Sequence, residues 1–151
     1  MVMERKIQKQ FVDEGFGFKV RLWNVPMVKV RGAWTPEINY NEFAKVVLLA
    51  LCHKPARLTG AEVRFIRQQL EMTLQAFAER FCVTHVAVIK WEKTGSKATS
   101  MAWTTEKDLR LFVLSKLVSK PTEMAKLYAD LEKERAQSGS SVEVDAKKMV
   151  A

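Results

Sequence analysis

The chain has 151 residues, 48% hydrophobic and 28% charged, with a formal net charge of +8. That balance fits a globular chain rather than a disordered one, and its longest aliphatic run, residues 46–51, falls far short of the roughly 18 residues a membrane span needs. Two cysteines are too few for a disulfide framework, and the cationic surplus suits a polyanionic partner, because each phosphate contact releases counterions. A cytosolic protein is expected.

Residues 1–16 are polar with isolated Ile7, Phe11 and Val12, and read as a flexible N-terminal arm. From Gly17 the period changes. Phe18, Val20 and Leu22 alternate with Lys19, Arg21 and Trp23, the pattern of a half-buried strand. Residues 24–27, with Pro26, read as a turn, followed by a second strand through Val28 and Val30 to Gly32 and a short third one at residues 38–40. A hairpin of this size is marginal alone in water, so its apolar face needs cover. The cover predicted is a helix capped by Asn41 and ending near His53, which is apolar nearly all round and therefore buried on several sides. Residues 17–57 thus form a β-ribbon plus helix, expected to serve dimerisation or partner binding.

A second region, residues 58–137, is read as helical. Thr59-Gly60-Ala61-Glu62 is a capping box that opens a helix with Val63, Ile66 and Leu70 inward. Residues 73–93 then spell a helix, a tight turn and a second helix. Phe77, Ala78 and Phe81 give the first an apolar face, and Val83, Val88 and Trp91 give the second a matching one, with Thr73 and Thr84 as N-caps. A loop follows from Gly95 to Trp103. Thr105 starts a helix with Leu109, Phe112 and Val113 inward, and Pro121 opens the last one, striped by Met124, Leu127, Tyr128 and Leu131. Residues 138–151 read as a disordered tail.

The stretch MTLQAFAERFCVTHVAVIKWE, residues 72–92, resembles the XRE-like (Cro/phage-repressor type) helix-turn-helix family, and LTGAEVRFIRQQLEM with a strand-rich segment ahead of it resembles the MqsA/HigA-like antitoxin branch. The match is firm over about a quarter of the chain, on Ala78, Val83, Val88, Trp91 and Glu92. It departs from the pattern at Leu74, where the family often has Gln, and at Cys82, where it has the turn Gly. The resemblance implies a mainly α fold, a repressor-like helical domain preceded by the small antiparallel β-ribbon and buried helix.

The outer face of the second motif helix, His85, Val86, Ala87, Ile89 and Lys90, is then free to enter a major groove. His85 would donate to a base edge or phosphate, and Lys90 would reach guanine or phosphate. Val86 and Ile89 would meet thymine methyl groups, or equally a protein surface. Thr73 and Thr84 cap helices whose free N–H groups also suit phosphate, and Lys93, Lys97 and Arg67 read as further phosphate contacts or equally as solvated charges. Trp91 and Glu92 are fold residues, Glu92 holding an Arg in place. Much of the cationic charge lies outside the motif, in the ribbon and at Lys97, Lys107, Arg110, Lys116 and Lys120, so these flanks are expected to supply affinity.

Cys52, His53, Cys82 and His85 form a nominal zinc set, but adjacent Cys52 and His53 point apart and Cys82 is expected to be packed in the turn. No metal, cofactor or catalytic constellation is expected. The functional expectation is a sequence-specific regulator of transcription that binds double-stranded DNA as a homodimeric repressor, with no membrane partner. A narrower form is an autoregulating antitoxin with a toxin protein partner. The alternative is a protein-interaction module whose helix-turn-helix no longer reads DNA.

Overall fold

Strand β2 (Val20–Val30) organises the N-terminal part of the computed structural model, which describes residues 3–118, 120–137 and 141–149. It pairs antiparallel with β1 (Arg5–Asp13) along one side. On the other side, its later half pairs antiparallel with β3 (Ala33–Pro36) and its earlier half pairs parallel with β4 (Val142–Asp145). The β2–β3 hairpin closes on Arg31 and Gly32, both at positive φ (50° and 80°), the turn whose twist matches that of the flanking strands. Pro26 lies inside β2 rather than in a turn. Its carbonyl accepts from Glu37 N–H at 2.7 Å, so its missing amide falls on the same side, in the gap between β3 and β4.

The chain divides into two compact units, the first made of residues 1–50 and 141–151, the second of residues 51–140. Among the described residues there are six α-helices and a four-stranded mixed sheet. The expectation of a mainly α fold with a two-stranded ribbon is therefore corrected to a mixed α and β architecture. The supposed arm is β1, paired with β2 from Arg5 to Asp13. The supposed tail contains β4 and a 3-10 turn at Ala146–Met149, with Val142, Val144, Ala146 and Met149 buried. Residues 138–140, 150 and 151 of that expected tail lie outside the described residues. Residues 38–40 form no third strand. They lead into α1 (Tyr40–Cys52), and it is the Asn39 side chain, not Asn41, that accepts the N–H groups of Asn41 and Glu42 (3.0 and 3.2 Å). Within the first unit, Phe43 and Val47 of α1 are fully buried, and Phe16 packs on Phe43 at 4.8 Å. Leu51 and Cys52, at the end of α1, belong to the second unit.

That unit holds α2 (Gly60–Gln69), α3 (Leu74–Arg80), α4 (His85–Lys93), α5 (Trp103–Leu117) and α6 (Pro121–Asp130). Thr59, Thr73 and Thr84 each cap the next helix by accepting the N–H three residues on, at 3.2, 3.0 and 3.2 Å, and Glu62 completes the box by accepting Thr59 N–H at 2.9 Å. The core is built from Ile66, Phe77, Ala78, Val88, Trp91, Leu109, Val113 and Leu127. In α6 only part of the predicted stripe is inward: Leu127 and Leu131 are buried, whereas Tyr128 is exposed with Lys107 Nζ 4.2 Å from its ring.

Candidate nucleic-acid interface

Helix α4 is held from two sides. Its inner residues Val88 and Trp91 are buried, and α2 and α3 both pack on it. Its C-terminal end abuts the start of α2: Gly60 N–H and Ala61 N–H donate to the carbonyls of Lys97 and Gly95 (3.3 and 3.0 Å) in the turn just after α4. Free amides at one helix start thus meet carbonyls at another helix end, where the dipoles also attract. Arg67 of α2 donates to both oxygens of Glu92 (2.7 and 3.0 Å) and to Met72 O (3.1 Å), tying α2, α4 and the α2–α3 turn together. The Glu92 hydrogen bonds hold the Arg67 guanidinium still further up than its ordinary range.

At about 100° per residue, His85, Ile89, Lys93, Val86 and Lys90 fall within one arc of roughly 140° on α4. Four of these are exposed and Ile89 is half-buried, so the arc is open to solvent. Ala87 lies beyond the arc and is half-buried. Thr73 and Thr84 are exposed caps, and Lys97 is exposed in the loop after α4. The surface gathered by α4 is therefore His85, Val86, Ile89, Lys90 and Lys93, two lysines and a histidine around an apolar pair. Val86 is 48% exposed, a large aliphatic group with about half of its surface open to water.

Three expectations are corrected. Arg67 is not a free surface cation, being engaged by Glu92 and largely buried. Cys82 is exposed rather than packed, at φ 57°, the left-handed conformation its Gly counterpart would adopt freely. The flanking cations are also less available than their number suggests. In the first unit, Arg5, Arg21 and Lys29 stand against Glu37, Glu143 and Glu4 at 3.2, 3.9 and 3.7 Å. In the second, Arg110 is buried.

Arg110 belongs to a cluster that sequence reading missed. Glu106, with no exposed surface, accepts Arg57 Nε at 2.9 Å on one oxygen, and Leu58 N–H with Arg110 Nε and Nη2 (3.2, 3.2 and 2.8 Å) on the other. Arg110 also donates to the carbonyls of Lys54 and Ala56, both at 2.6 Å, and Arg57 to Glu134 at 2.7 Å and to Met101 O. The Trp103 ring lies 5.5 and 5.7 Å from the two guanidinium carbons. Beside it, Lys54 Nζ bridges both oxygens of Glu62 at 2.8 and 3.0 Å, all but out of water. Burial pulls the Arg110 guanidinium down from its ordinary range, against the opposing pull of Glu106. Because each carboxylate here is met by cations or amides, the cluster acts as a clamp on the segment between α1 and α2. The only sequence signal was the i, i+4 spacing of Glu106 and Arg110.

The two thiols differ. Cys52 is buried, and that burial pushes its pKa up to about 12, while Cys82 is exposed. Native protein is expected to react quickly with a thiol reagent at one site and at the second only after unfolding. A raised folded pKa makes Cys52 stabilising below its ordinary thiol range, a contribution lost as pH climbs from about 9 toward 12. Urea titrations across that window should show the unfolding midpoint falling in the parent and falling less in Cys52→Ala. Among the described residues, no three His, Cys, Asp or Glu side chains stand together as a metal site, and no helix is long and apolar enough to cross a membrane. No family model, curated protein or solved structure matches this chain.

Proposed function

We propose that the second unit binds double-stranded DNA through α4, in the manner of an XRE-like helix-turn-helix, and that the protein is a homodimeric repressor acting by occlusion of a promoter. The observation that carries this reading is the α4 arc. A short helix is braced on its inner side by α2 and α3, and His85, Val86, Ile89, Lys90 and Lys93 lie together on its outer side. A braced helix with an open face suits a major groove, which admits one helix and offers base edges to its side chains. Lys90 and Lys93 supply charge for phosphate or guanine, His85 a donor near the helix start, and Val86 with Ile89 an apolar surface for thymine methyl groups.

Fluorescence anisotropy against genomic fragments, titrated with salt, tests the reading. Lys90→Ala is expected to weaken binding by about 1–3 kcal/mol if it reads a base, or to lower the salt slope by about 1 if it meets phosphate. His85→Ala is expected to change sequence preference, with the thermal midpoint unchanged in both variants. Affinity, slope and preference that ignore both substitutions would remove α4 as the reader.

The exposure of Val86 favours a second reading, a protein-interaction module. Its signature is absence of salt-dependent DNA binding together with capture of a defined protein that Val86→Lys abolishes. The narrower form of the DNA reading adds a toxin protein as partner. A toxin-like reading frame beside the gene supports it, and the lack of one counts against it.

A further inference from the structure

Strand β1 is nine residues long and, among the described residues, pairs only with β2, which leaves one row of its N–H and C=O groups open. It carries Ile7, 70% exposed, and Val12, 43% exposed. Their neighbours across the ladder are Pro26 and Arg21. Pro26 lies between buried Val25 and Met27, and Arg21 between buried Val20 and Leu22. Between Val20 and Met27 the buried positions of β2 thus change from even to odd numbers at Asn24, which has φ 55° and breaks the ladder opposite Lys9. As a result Ile7 and Val12 share the face turned away from those buried residues. Lys6 and Asp13, whose neighbours Met27 and Val20 are buried, share the other face.

We infer that β1 is the interface with a second copy of this chain, joined antiparallel about a twofold axis between Lys9 and Gln10. Each residue n then stands opposite residue 19 − n of the other copy. Ile7 meets Val12 of the partner subunit, Lys6 meets the partner's Asp13, and Lys9 meets the partner's Gln10. Just past the strand, Arg5 faces the partner's Glu14. The twofold repeats every pair, so the two most exposed aliphatic groups of β1 are covered twice and the opposite charges meet twice. In an uninterrupted strand this register would be impossible, since residues opposite one another would project from different faces. The change of face at Asn24 and Lys9 is what permits it. The register one residue shorter or longer would match neither Ile7 with Val12 nor Lys6 with Asp13. The occupant is a second copy because the strand complements itself in both charge and apolar surface.

The inference rests on the homodimer in the proposed function and supplies its interface. Sedimentation of the full chain is expected to give twice the 17.3 kDa chain mass. Ile7→Lys is expected to give the single mass. Lys6→Asp and Asp13→Lys, each of which sets like charges opposite one another twice, should each raise the dimer dissociation constant about tenfold. Combining them restores the complementarity and should return it to near the parent value, while circular dichroism shows all variants folded. A monomeric parent at about 100 μM, a concentration at which even weak specific dimers form, would overturn the inference. So would a dimer insensitive to Ile7→Lys, or a double variant no better than the singles. DNA anisotropy on the same samples separates the two proposals: a monomeric parent that still binds DNA overturns the β1 dimer and leaves the α4 reading standing, and a dimeric parent without DNA binding overturns the α4 reading alone.

Discussion

Glu106→Gln is expected to lower the unfolding free energy by about 3–5 kcal/mol, measured by urea denaturation at neutral pH, because removing one partner of a buried ion pair leaves the other charge uncompensated. The side chain keeps its shape, so the loss comes from charge. Glu106 is fully buried and pairs with both Arg57 and Arg110, whereas Glu134, the other acid on Arg57, is more than half exposed and therefore screened by water. Against a total stability of about 5–15 kcal/mol for an ordinary domain, this is a large fraction. Simple ion pairs often tolerate joint replacement by apolar residues. Here Glu106→Leu with Arg110→Met is expected to recover little, because Arg110 also donates to the carbonyls of Lys54 and Ala56, and Glu106 accepts Leu58 N–H. Those backbone groups would lose partners in a buried place. Recovery to within about 1 kcal/mol of the parent, the typical net worth of one hydrogen bond, would show that the cluster is only a charge pair and not a clamp on the α1–α2 segment.

That cluster marks where sequence reading stopped. The starts of α2, α3 and α4 were legible because each cap is local: Thr59, Thr73 and Thr84 bond to amides three residues away. The outer face of α4 was largely legible for the same reason, since the helical period groups His85, Val86, Ile89 and Lys90; Ala87, also expected there, lies beyond the arc and half-buried, and Lys93, read as a flanking contact, lies within it. Arg57 and Glu106, by contrast, are 49 residues apart, and in a sequence both read as solvated charges. The sheet was obscured by two local conflicts. β1 loses its two-residue alternation where the face changes at Lys9, so its charged positions resemble a loose arm. Pro26 suggests a turn, and is tolerated in β2 only because β3 and β4 leave a gap opposite its missing amide. β4 follows a Ser/Gly stretch and has only four residues, yet its parallel pairing with β2, formed over some 120 residues of separation, buries Val142 and Val144. Its only trace in the chain is the alternation of Val142 and Val144 with Glu143 and Asp145, too short to mark a strand by itself.

Gly60→Val should be the most damaging single substitution at the base of α4. A Cβ at Gly60 would lie 2.4 Å from the Trp91 carbonyl oxygen, 2.7 Å from that of Glu92 and 2.6 Å from Thr94 Oγ1. The first two are backbone atoms of α4 and cannot turn aside as a side-chain tip would. Gly60 is thus required by close approach of two helix ends, the capping box of α2 being set directly against the last turn of α4. Even Gly60→Ala is expected to cost about 1–3 kcal/mol, the usual penalty of overpacking, and Gly60→Val more. To relieve the overlap, α2 and α4 must separate, which weakens the Gly60 and Ala61 hydrogen bonds to Lys97 and Gly95 and tilts the arc of α4. The expected result is a lowered thermal midpoint together with weakened DNA binding, although no residue of the outer arc has changed. Ala61→Ser, one position on and half-buried, should leave both within error. If Gly60→Ala proved as stable as the parent, the packing of α2 on α4 would be looser than these distances state, and the bracing that presents α4 would have to come from α3 alone.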